Sequence, residues 1–400
     1  MSSDKKLLSD FATVISGYAF KSEWFGTGND KVIRIGDLQE GSIQTESALT
    51  VDAAQYKISD NFKIQDKDIL MALSGATVGK IAVASDGDVG AYINQRVAII
   101  RAKDEITADY LKFFFSGEFL DELLKNAGGA AQPNLSPKQL LLMEIPFPPP
   151  AEQRRIASIL DQADELRQKR QQAIEKLDQL LQATFIDMFG DPVSNPKGWD
   201  VKKLSELSTK IHSGNTPKGG SENYVDQGII FLRSQNVWKN KVILDDVAYI
   251  DAETHSKMMK SSVKHEDLLM TKTGRINTEN SSLGRAAIYL GEDDSANING
   301  HVYLIRIKDG FNKYFILRIL TLPDYYEYIR SVCVGGIDKR QLNKEHIENF
   351  PIIQPPMELQ NKFSDIVQVI ESQKPKLLEQ LDLAENLFKT LQQKAFNGTL

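Results

Sequence analysis

The sequence repeats the stretch Lys67-Asp68-Ile69-Leu70-Met71 about 200 residues later, as Glu266-Asp267-Leu268-Leu269-Met270. Just beyond it, Ser74-Gly75 in the first copy matches Thr273-Gly274 in the second. Further matched pairs follow in the same order: Gly79-Lys80-Ile81-Ala82-Val83 with Gly284-Arg285-Ala286-Ala287-Ile288, Ile93-Asn94-Gln95-Arg96-Val97 with Ile298-Asn299-Gly300-His301-Val302, Arg101 with Arg306, Gly128-Gly129 with Gly335-Gly336, Leu135 with Leu342, and Pro149-Pro150-Ala151-Glu152 with Pro355-Pro356-Met357-Glu358. Two long copies indicate a duplicated domain rather than a solenoid, which stacks many repeats of ~20–50 residues.

The composition is that of a globular protein. Of the 400 residues, 41% are hydrophobic and 26% are charged, which suits two or three compact domains. No apolar run approaches the ~20 residues of a membrane-spanning helix, and no signal peptide follows Met1, so we expect no membrane partner. The single cysteine, Cys333, excludes an internal disulfide and fits a cytoplasmic location. The five histidines lack ligand spacing, so we expect no bound metal.

Each copy begins with a mixed domain and ends in a long polar helix, which predicts an α+β fold. The mixed domains, residues 1–150 and 192–356, alternate short β-branched strands with glycine- and asparagine-rich turns. The predicted strands are 31–35, 81–84 and 97–101 in the first copy, and 228–232, 286–290 and 302–307 in the second. Proline clusters precede both helices, which we place at 151–191 and 357–400. Pro375 lies inside the second helix and should kink or interrupt it.

The two long helices should pack against each other as an antiparallel coiled coil, giving the chain a pseudo-twofold repeat. A helix of ~38 residues is ~57 Å long, and these carry only a narrow apolar seam, which needs a partner. The alternative is that both are ordinary core helices of one large domain. The residues predicted to pack the pair are Ile156, Leu160, Ala163, Leu177, Leu181, Phe363, Ile370, Leu377, Leu381 and Phe388.

Strings that resemble catalytic motifs fail on spacing. The run Gly75-Ala76-Thr77-Val78-Gly79-Lys80-Ile81 has one residue too few between its glycines for a phosphate-binding loop, and Ile81 replaces the serine or threonine that would ligate magnesium. The run Trp24-Phe25-Gly26-Thr27-Gly28 is reminiscent of an S-adenosylmethionine loop, but no strand precedes it. The sequence also lacks the Asn/Asp-Pro-Pro-aromatic tetrapeptide of amino-methyltransferases. We therefore expect no catalysis by this chain and no cofactor of its own.

Polar, glycine-punctuated loops occupy equivalent places in the two copies. Arginine, lysine, asparagine and glutamine make paired hydrogen bonds to base edges, and serine and threonine contact phosphates. Any single loop is more often plain turn chemistry, but several in register favour DNA binding. The candidate DNA-contacting residues are Lys21, Arg34, Ser74, Thr77, Asn94, Gln95 and Arg96 in the first copy, and Asn215, Thr216, Lys218, Arg233, Ser234, Gln235, Asn236, Lys272, Thr273, Arg275, Asn299 and His301 in the second.

The net charge of −6 argues against bulk attraction to nucleic acid. Divided by segment, residues 1–150 carry a net −5 and residues 192–356 a net +2. Neither mixed domain is a strongly basic anchor, so a partner subunit should supply much of the salt-sensitive grip on phosphates.

Over nearly its whole length, the sequence resembles the specificity subunits of type I restriction–modification enzymes. The resemblance rests on an ordered set of motifs: Ile145-Pro146-Phe147-Pro148-Pro149-Pro150-Ala151-Glu152-Gln153-Arg154-Arg155-Ile156, Met188-Phe189-Gly190-Asp191-Pro192, Ser213-Gly214-Asn215-Thr216-Pro217 with Phe231-Leu232-Arg233-Ser234, and Gln393-Lys394-Ala395-Phe396-Asn397-Gly398-Thr399-Leu400. Asn215 departs from the glycine of many relatives.

The resemblance implies two target-recognition domains, each reading one half of a bipartite, asymmetric site on double-stranded DNA. The two helices would separate these domains and dock two methyltransferase (modification) subunits, which restriction subunits can join. S-adenosylmethionine, ATP and magnesium would then belong to the partner subunits. The main alternative is a two-headed interaction scaffold on a coiled-coil strut with no role at DNA. An enzyme, such as a methyltransferase or nuclease, is the third.

Overall fold

The chain forms two compact units in the computed structural model, which describes residues 4–400 except 40, 76–77, 117–119, 121–134, 277, 279 and 337. Unit 1 consists of Met1–Ala173 with Lys376–Leu400, and unit 2 consists of Ile174–Pro375. Each unit thus combines one mixed domain with one part of each long helix. The predicted match of Gly128-Gly129 with Gly335-Gly336 falls partly outside the described residues. The predicted boundaries at 150, 191 and 356 stay a prediction.

Unit 1 is built on a four-stranded antiparallel sheet. Its strands, in spatial order, are Ala12–Ser16, Val97–Ala102, Ile69–Ala72 and Ile81–Val83. The central strand Ile69–Ala72 is apolar throughout and buried throughout, as expected for a strand covered on both faces. The remaining strands of the unit are Leu49–Val51, Asp30–Ile33 and Tyr92–Ile93 in one sheet, Leu38–Gln39 with Ser42–Ile43, and Lys5–Leu7 with Glu144–Pro146. Its described helices, besides the long ones, are Leu8–Phe11, Glu105–Phe114 and Pro137–Leu141.

Unit 2 repeats this plan. Its four-stranded sheet has the order Ser208–Ser213, Val302–Ile307, Leu268–Thr271 and Ala286–Ile288. The other matching strands are Ala248–Ile250, Ile229–Leu232 and Ala296–Ile298 in one sheet, Val237–Trp238 with Lys241–Val242, and Val201–Lys203 with Pro351–Ile353. A further sheet of Thr273–Arg275, Lys339–Gln341 and Val334–Gly335 is present in unit 2. The shorter helices are Leu204–Leu207, Ala252–Lys257, Lys313–Thr321, Pro323–Val332 and Lys344–Glu348. The duplicated α+β fold is therefore confirmed.

The matched motifs of the sequence form the same buried ion pair in each unit. In unit 1, the Arg101 guanidinium donates to both carboxylate oxygens of Asp68 at 2.8 and 2.6 Å. In unit 2, Arg306 does the same to Asp267 at 2.8 and 2.7 Å. Both aspartates are almost fully buried, and a buried carboxylate is tolerated when it is paired and hydrogen-bonded. The sequence match thus marks a structural pair that joins two strands of each main sheet.

The long helices are Pro150–Phe189 and Met357–Phe396, and they run antiparallel within each unit. In unit 1, Arg155 Nη2 lies 2.8 Å from the Leu400 carbonyl oxygen, and the Arg167 guanidinium lies over the Phe388 ring at 5.5 Å. Residue numbers rise along the first helix as they fall along the second. In unit 2, the Phe185 and Phe363 rings meet at 5.4 Å.

The predicted packing residues fall into two hydrophobic cores. Ile156 and Leu160 are buried with the half-buried Phe388 in the core of unit 1, and Ala163 is buried in the same unit. In unit 2, Leu181, Phe363 and Ile370 share a core with the half-buried Leu177. Leu377 and Leu381 are half-buried. Both cores also contain residues of the mixed domain, such as Tyr110 in unit 1 and Phe315 in unit 2, so the helices anchor the domains as well as each other.

Pro375 does not interrupt the second long helix, which continues to Phe396. Of the two predicted effects, the interruption is therefore wrong, and the kink stays a prediction. An interior proline removes one backbone hydrogen bond and costs ~3 kcal/mol. On the preceding turn, Ile370 is buried in the core, and Lys374 Nζ contacts Asp178 at 2.6 Å and Glu371 at 2.7 Å. These contacts hold the helix in place on the N-terminal side of the proline.

Candidate recognition loops

Four of the predicted loops converge at one end of the main sheet of unit 1. The amide of Gly17 donates to the Val97 carbonyl at 3.0 Å, and the amide of Gln95 donates to the Tyr18 carbonyl at 2.9 Å. The loop that carries Asn94 is also bonded to the other two. Its Asn94 amide donates to the Ile33 carbonyl, and its Arg96 carbonyl accepts from the Leu73 amide, each at 2.9 Å. Backbone hydrogen bonds therefore bring together the loops at 16–21, 33–37, 73–75 and 94–96.

Unit 2 joins the corresponding loops in the same way. The amide of Gly214 donates to the Val302 carbonyl at 2.9 Å, and the Asn299 amide donates to the Leu232 carbonyl at 2.9 Å. The Lys272 amide donates to the His301 carbonyl at 2.8 Å. The loops at 213–218, 232–236, 271–275 and 299–301 thus form a second cluster. The equivalence that the sequence indicated for the loops is present in their backbone geometry.

A glycine fixes the closest approach in each cluster. A Cβ at Gly17 would lie 2.2 Å from the Asn94 carbonyl oxygen, and one at Gly214 would lie 2.2 Å from the Asn299 carbonyl oxygen. Real Cβ atoms do not approach a backbone oxygen so closely, so only glycine lets one loop pass over the other. The two glycines set the spacing of the loops, and the side chains around them are free to differ.

Arg34 and Arg233 begin equivalent turns. The Arg34 amide donates to the Asp37 carboxylate at 2.8 Å, and the Arg233 amide donates to the Asn236 side-chain oxygen at 2.9 Å. The Arg34 guanidinium lies 3.3 Å from Asp37, with its side chain 42% exposed. Arg233 Nη2 lies 3.2 Å from Asp246, with its side chain 23% exposed. Each guanidinium is held at the edge of its loop cluster by a carboxylate, which orients it but leaves part of it accessible.

The other predicted residues of unit 1 lie at the surface of the cluster. Lys21, Gln95 and Arg96 are exposed, and Ser74 and Asn94 are half-buried. The Lys21 ammonium lies 5.5 Å from the centre of the Trp24 ring. Thr77, which we also predicted, lies outside the described residues.

In unit 2, most of the predicted residues are accessible. Exposed side chains are Asn215, Thr216, Lys218, Gln235, Arg275 and His301, and half-buried ones are Ser234, Lys272 and Thr273. Arg275, 68% exposed, lies 3.5 Å from Asp338. It stands on the strand Thr273–Arg275 of the extra sheet.

Asn236 and Asn299 are the buried side chains of the predicted set in unit 2. Asn236 is 1% exposed, and its amide nitrogen donates to the carbonyls of Ile243 and Asp246 at 3.1 and 2.7 Å. Asn299 is 8% exposed, and its side-chain oxygen accepts the His301 amide at 3.0 Å. A buried amide whose hydrogen bonds are satisfied internally does not reach a base edge, so Asn236 shapes its loop instead of contacting a ligand. The Asn299 oxygen is taken up by its own loop, and Asn299 stays a candidate.

An aromatic group that the sequence did not predict lies beside the loops of unit 1. The Trp24 and Tyr56 rings stack with centroids 4.2 Å apart and planes 9° apart, and Tyr18 adds a third ring at 6.3 Å from Trp24. All three are half-buried. Only the adjacent aromatics Trp24 and Phe25 could have signalled it, because Tyr56 joins from a loop far along the chain. In unit 2, polar Asn215 aligns with Tyr18.

Lysine side chains surround the edge strand of the main sheet in unit 2. Burial and the neighbouring Lys210 lower the pKa of His212, with Lys260 and Lys344 adding to the effect. Burial, followed by the charge of Arg306, also lowers the pKa of Lys210. In unit 1, Thr13 and Ile15 take the corresponding strand positions. This strand is therefore more basic in unit 2.

The described part of the chain offers no cluster of three or more metal-ligating side chains. Among the same residues, no helix has the combination of length and apolar character that crossing a bilayer requires.

Two similar mixed domains, each presenting a cluster of joined loops and each anchored on two long helices, define a two-headed recognition protein. The family model for the type I restriction modification DNA specificity domain matches residues 3–176 and 196–382. The chain belongs to this family. It is therefore a specificity subunit and not a catalytic one.

Several relatives match the chain over most of their length. The MjaIX specificity subunit of a type I restriction enzyme from Methanocaldococcus jannaschii is 28% identical over 329 residues, which cover 77% of this chain and 72% of the relative. The EcoBI specificity subunit of Escherichia coli is 23% identical over 98% of this chain and 85% of its own. The solved structure of the type I S subunit from M. genitalium matches with a TM-score of 0.53 at 17% identity, over 98% of this chain and 96% of that one, which supports the fold.

Proposed function

We propose that the chain reads a bipartite, asymmetric site on double-stranded DNA, with the loop cluster of unit 1 on one half-site and that of unit 2 on the other. The observation that carries this proposal is the repeated crossing of Gly17 over Asn94 and of Gly214 over Asn299. One backbone frame, built twice, presents two different sets of side chains. Two different half-sites are the simplest ligand for such a pair.

The side chains of each cluster suit base edges and phosphates. Partly exposed guanidinium groups at Arg34, Arg233 and Arg275 can make paired hydrogen bonds to guanine. Exposed amides at Gln95, Asn215 and Gln235 suit adenine. Thr216, Lys218 and Lys21 would contact the backbone, which positions the protein without reading the sequence. Thr77, on the same loop as Ser74, stays a candidate from sequence alone.

Partner subunits complete the proposed function. The chain carries a net charge of −6, so its own attraction to phosphates is weak. Two methyltransferase subunits docked on the long helices would supply the additional contacts, and restriction subunits could join them. Adenine methylation, S-adenosylmethionine, ATP and magnesium then reside on those partners. The segments 1–150 and 192–356 would act as exchangeable heads, with 151–191 and 357–400 as spacers.

A DNA-binding titration with and without the co-expressed methyltransferase subunit tests this proposal against the scaffold alternative. We expect weak, salt-sensitive binding by the chain alone and strong, sequence-selective binding by the complex. The triple variant Arg34→Ala/Arg233→Ala/Arg275→Ala should retain complex formation but lose selectivity. A complex that forms normally but shows no preference among DNA sequences would contradict the proposal and favour the scaffold.

A further inference from the structure

Each unit has a base, which consists of a two-stranded sheet and the first turn of a long helix, and the two bases are assembled from the same parts. The strand Lys5–Leu7 pairs with Glu144–Pro146, as Val201–Lys203 pairs with Pro351–Ile353. Two hydrogen bonds also correspond. The amide of Phe147 donates to the Asp4 carbonyl at 3.0 Å in unit 1, as the amide of Gln354 donates to the Asp200 carbonyl at 2.7 Å in unit 2. Likewise, Gln153 Nε2 donates to the Pro148 carbonyl at 2.8 Å, and Gln360 Nε2 donates to the Pro355 carbonyl at 2.9 Å. A feature of one base therefore has a definite counterpart position in the other.

In unit 2, the chain that leaves the first long helix folds back and fills its base. Gly190 turns the chain with φ of 79°. The Lys197 ammonium donates to the Asp187 carbonyl at 2.6 Å, at the negative end of the helix dipole. The Trp199 indole donates to the Phe189 carbonyl at 2.8 Å and packs against the core. An indole ring and a cation two residues before it thus close the base of unit 2.

In unit 1, a cavity of about 780 Å³ lies at the corresponding place. In the repeat, Phe396 aligns with Phe189, and Asp4 aligns with Asp200. The place in unit 1 that corresponds to Trp199 therefore lies between Phe396 and Asp4. Ser3, which precedes Asp4 as Trp199 precedes Asp200, has no ring. The residues lining the cavity are Asp4, Lys6, Phe147, Pro148, Pro149, Pro150, Glu152, Arg155, Ile156, Ala395, Gly398 and Leu400.

The lining of the cavity suits an aromatic side chain. Phe147, Pro148 and Ile156 give it an apolar wall, and the Lys6 ammonium lies 4.9 Å over the Phe147 ring. The Arg155 guanidinium, at the rim, is held by Glu152 at 2.8 Å and donates to the Leu400 carbonyl at 2.8 Å. The volume falls in the range of ~300–1,000 Å³ that is typical of ligand sites. It can accommodate an indole ring together with neighbouring residues of its segment.

We propose that this cavity is a docking site for a segment of a partner protein that presents a tryptophan with a lysine or arginine two residues before it. This is the chemistry of Lys197-Gly198-Trp199, which fills the equivalent place in unit 2. The site lies beside the paired strands Lys5–Leu7 and Glu144–Pro146, between the start of the first long helix and the end of the second. None of the recognition-loop residues lines it. It therefore adds a protein-binding site that does not depend on the proposed DNA recognition.

The probe is a fluorescein-labelled peptide with the sequence of residues 190–200, titrated with the full-length protein and followed by anisotropy. We expect saturable binding. Replacing the peptide tryptophan by alanine should weaken binding by roughly tenfold or more, as for a buried aromatic anchor. Replacing the peptide lysine by glutamine should weaken it by a smaller factor.

Matched protein variants locate the binding. Phe147→Ala removes the aromatic wall and should abolish peptide binding, whereas Gln354→Ala, at the equivalent position of unit 2, should leave it unchanged. Because Phe147 also stacks on Phe11 at 4.1 Å, Leu400→Trp is a second test. Leu400 lines the cavity and packs against the core, so this variant adds an indole to the lining and should block the peptide while an apolar side chain still covers the core.

Three outcomes would overturn the proposal. The first is no saturable binding to the folded wild-type protein, and the second is binding that Phe147→Ala and Leu400→Trp leave intact. The third is binding that appears only after residues 1–3 are deleted, which would assign the cavity to that segment of the chain itself. DNA selectivity of the Leu400→Trp complex, measured separately, should equal that of wild type.

Discussion

Units 1 and 2 share a frame and differ at its surface. The buried pairs Arg101–Asp68 and Arg306–Asp267 have nearly the same nitrogen–oxygen distance, 2.6 and 2.7 Å. A neighbouring pair instead has its charges exchanged: Lys67 contacts Glu105 at 2.6 Å in unit 1, and Glu266 contacts Lys313 at 2.6 Å in unit 2. Buried contacts keep residue type because an unpaired charge there is costly. Partly exposed pairs tolerate exchange because only opposite sign matters.

The recognition loops differ more than the pairs below them. Unit 1 presents the stacked rings of Trp24 and Tyr56, whereas unit 2 presents exposed Asn215, Thr216 and Lys218 around the matching glycine. We expect the two clusters to prefer different ligand surfaces, since aromatic rings lie beside one and polar side chains surround the glycine of the other. A duplicated frame with divergent loops suits a protein that recognises a DNA site with two different halves.

The largest effect should come from breaking the shared ion pair. Asp68→Ala and Asp267→Ala each leave an arginine without its buried partner, and each should lower the free energy of unfolding by about 3 kcal/mol. Urea denaturation of the two variants measures this. Similar losses would support a common frame. A loss of stability in only one of the two variants would show that the ion pair stabilises the two units to different extents.

The next largest effect concerns the glycine crossings. Gly17→Ala should separate the loops of unit 1 and lower the free energy of unfolding by about 2–3 kcal/mol. The new methyl group would clash with backbone atoms, which cannot move aside as a flexible side chain can. Gly214→Ala should do the same in unit 2. The matched control is Gly36→Ala, whose Cβ would meet nothing within 4 Å.

DNA selectivity of these variants sharpens the comparison between units. Gly17→Ala should relax one half-site and Gly214→Ala the other. The control for selectivity is Gly87→Ala, which lies outside the loop clusters and whose Cβ would reach only Ser85 Oγ at 4.0 Å, and it should leave both half-sites intact. If both glycine variants relax the same half-site, the assignment of one loop cluster to each half-site is wrong.

Removal of single arginines should have a smaller effect. Arg34→Ala, Arg233→Ala and Arg275→Ala should each weaken or relax recognition by ~1–3 kcal/mol where the guanidinium meets a base. Competition binding against single-base variants of the target measures the change at each position. Unaltered affinity and preference in all three variants would refute these contacts.

The smallest effect should come from the contacts between the long helices. Burial disfavours the Lys374 ammonium, but the Asp178 and Glu371 carboxylates outweigh it and raise the pKa of Lys374. Lys374→Met should cost about 1 kcal/mol in unit 2, and Arg167→Met, which removes the contact with Phe388, about 0.5–1 kcal/mol in unit 1. Thermal denaturation compares the two, and a gain in stability from Lys374→Met would contradict a net favourable ion pair.

The sequence was most informative where a short pattern determines structure locally. The first long helix ends at Phe189, and Gly190 follows it with φ of 79°, a left-handed conformation that glycine favours. The predicted strands 31–35, 81–84 and 97–101 appear as Asp30–Ile33, Ile81–Val83 and Val97–Ala102. The sequence match also marks Arg101 and Arg306, because duplicated sequences keep residues that pair in the core.

Features that depend on distant residues could not be predicted. Asn236 looked like a base-contacting amide, but Ile243 and Asp246 satisfy it, and neither partner is marked by any local pattern. The Trp24–Tyr56 stack joins residues from separate loops. Pro375 predicted a break because local propensity ignores the tertiary contacts of Ile370 and Lys374. In each case, packing outweighed the local pattern.

The most direct test of two independent readers is to exchange one of them. The chain in which residues 1–150 are replaced by those of a relative is co-expressed with its methyltransferase, and the methylated sites are mapped across a genome. We expect one half-site to change while the other half-site and the spacer length stay the same. A change in both half-sites, or in neither, would contradict it.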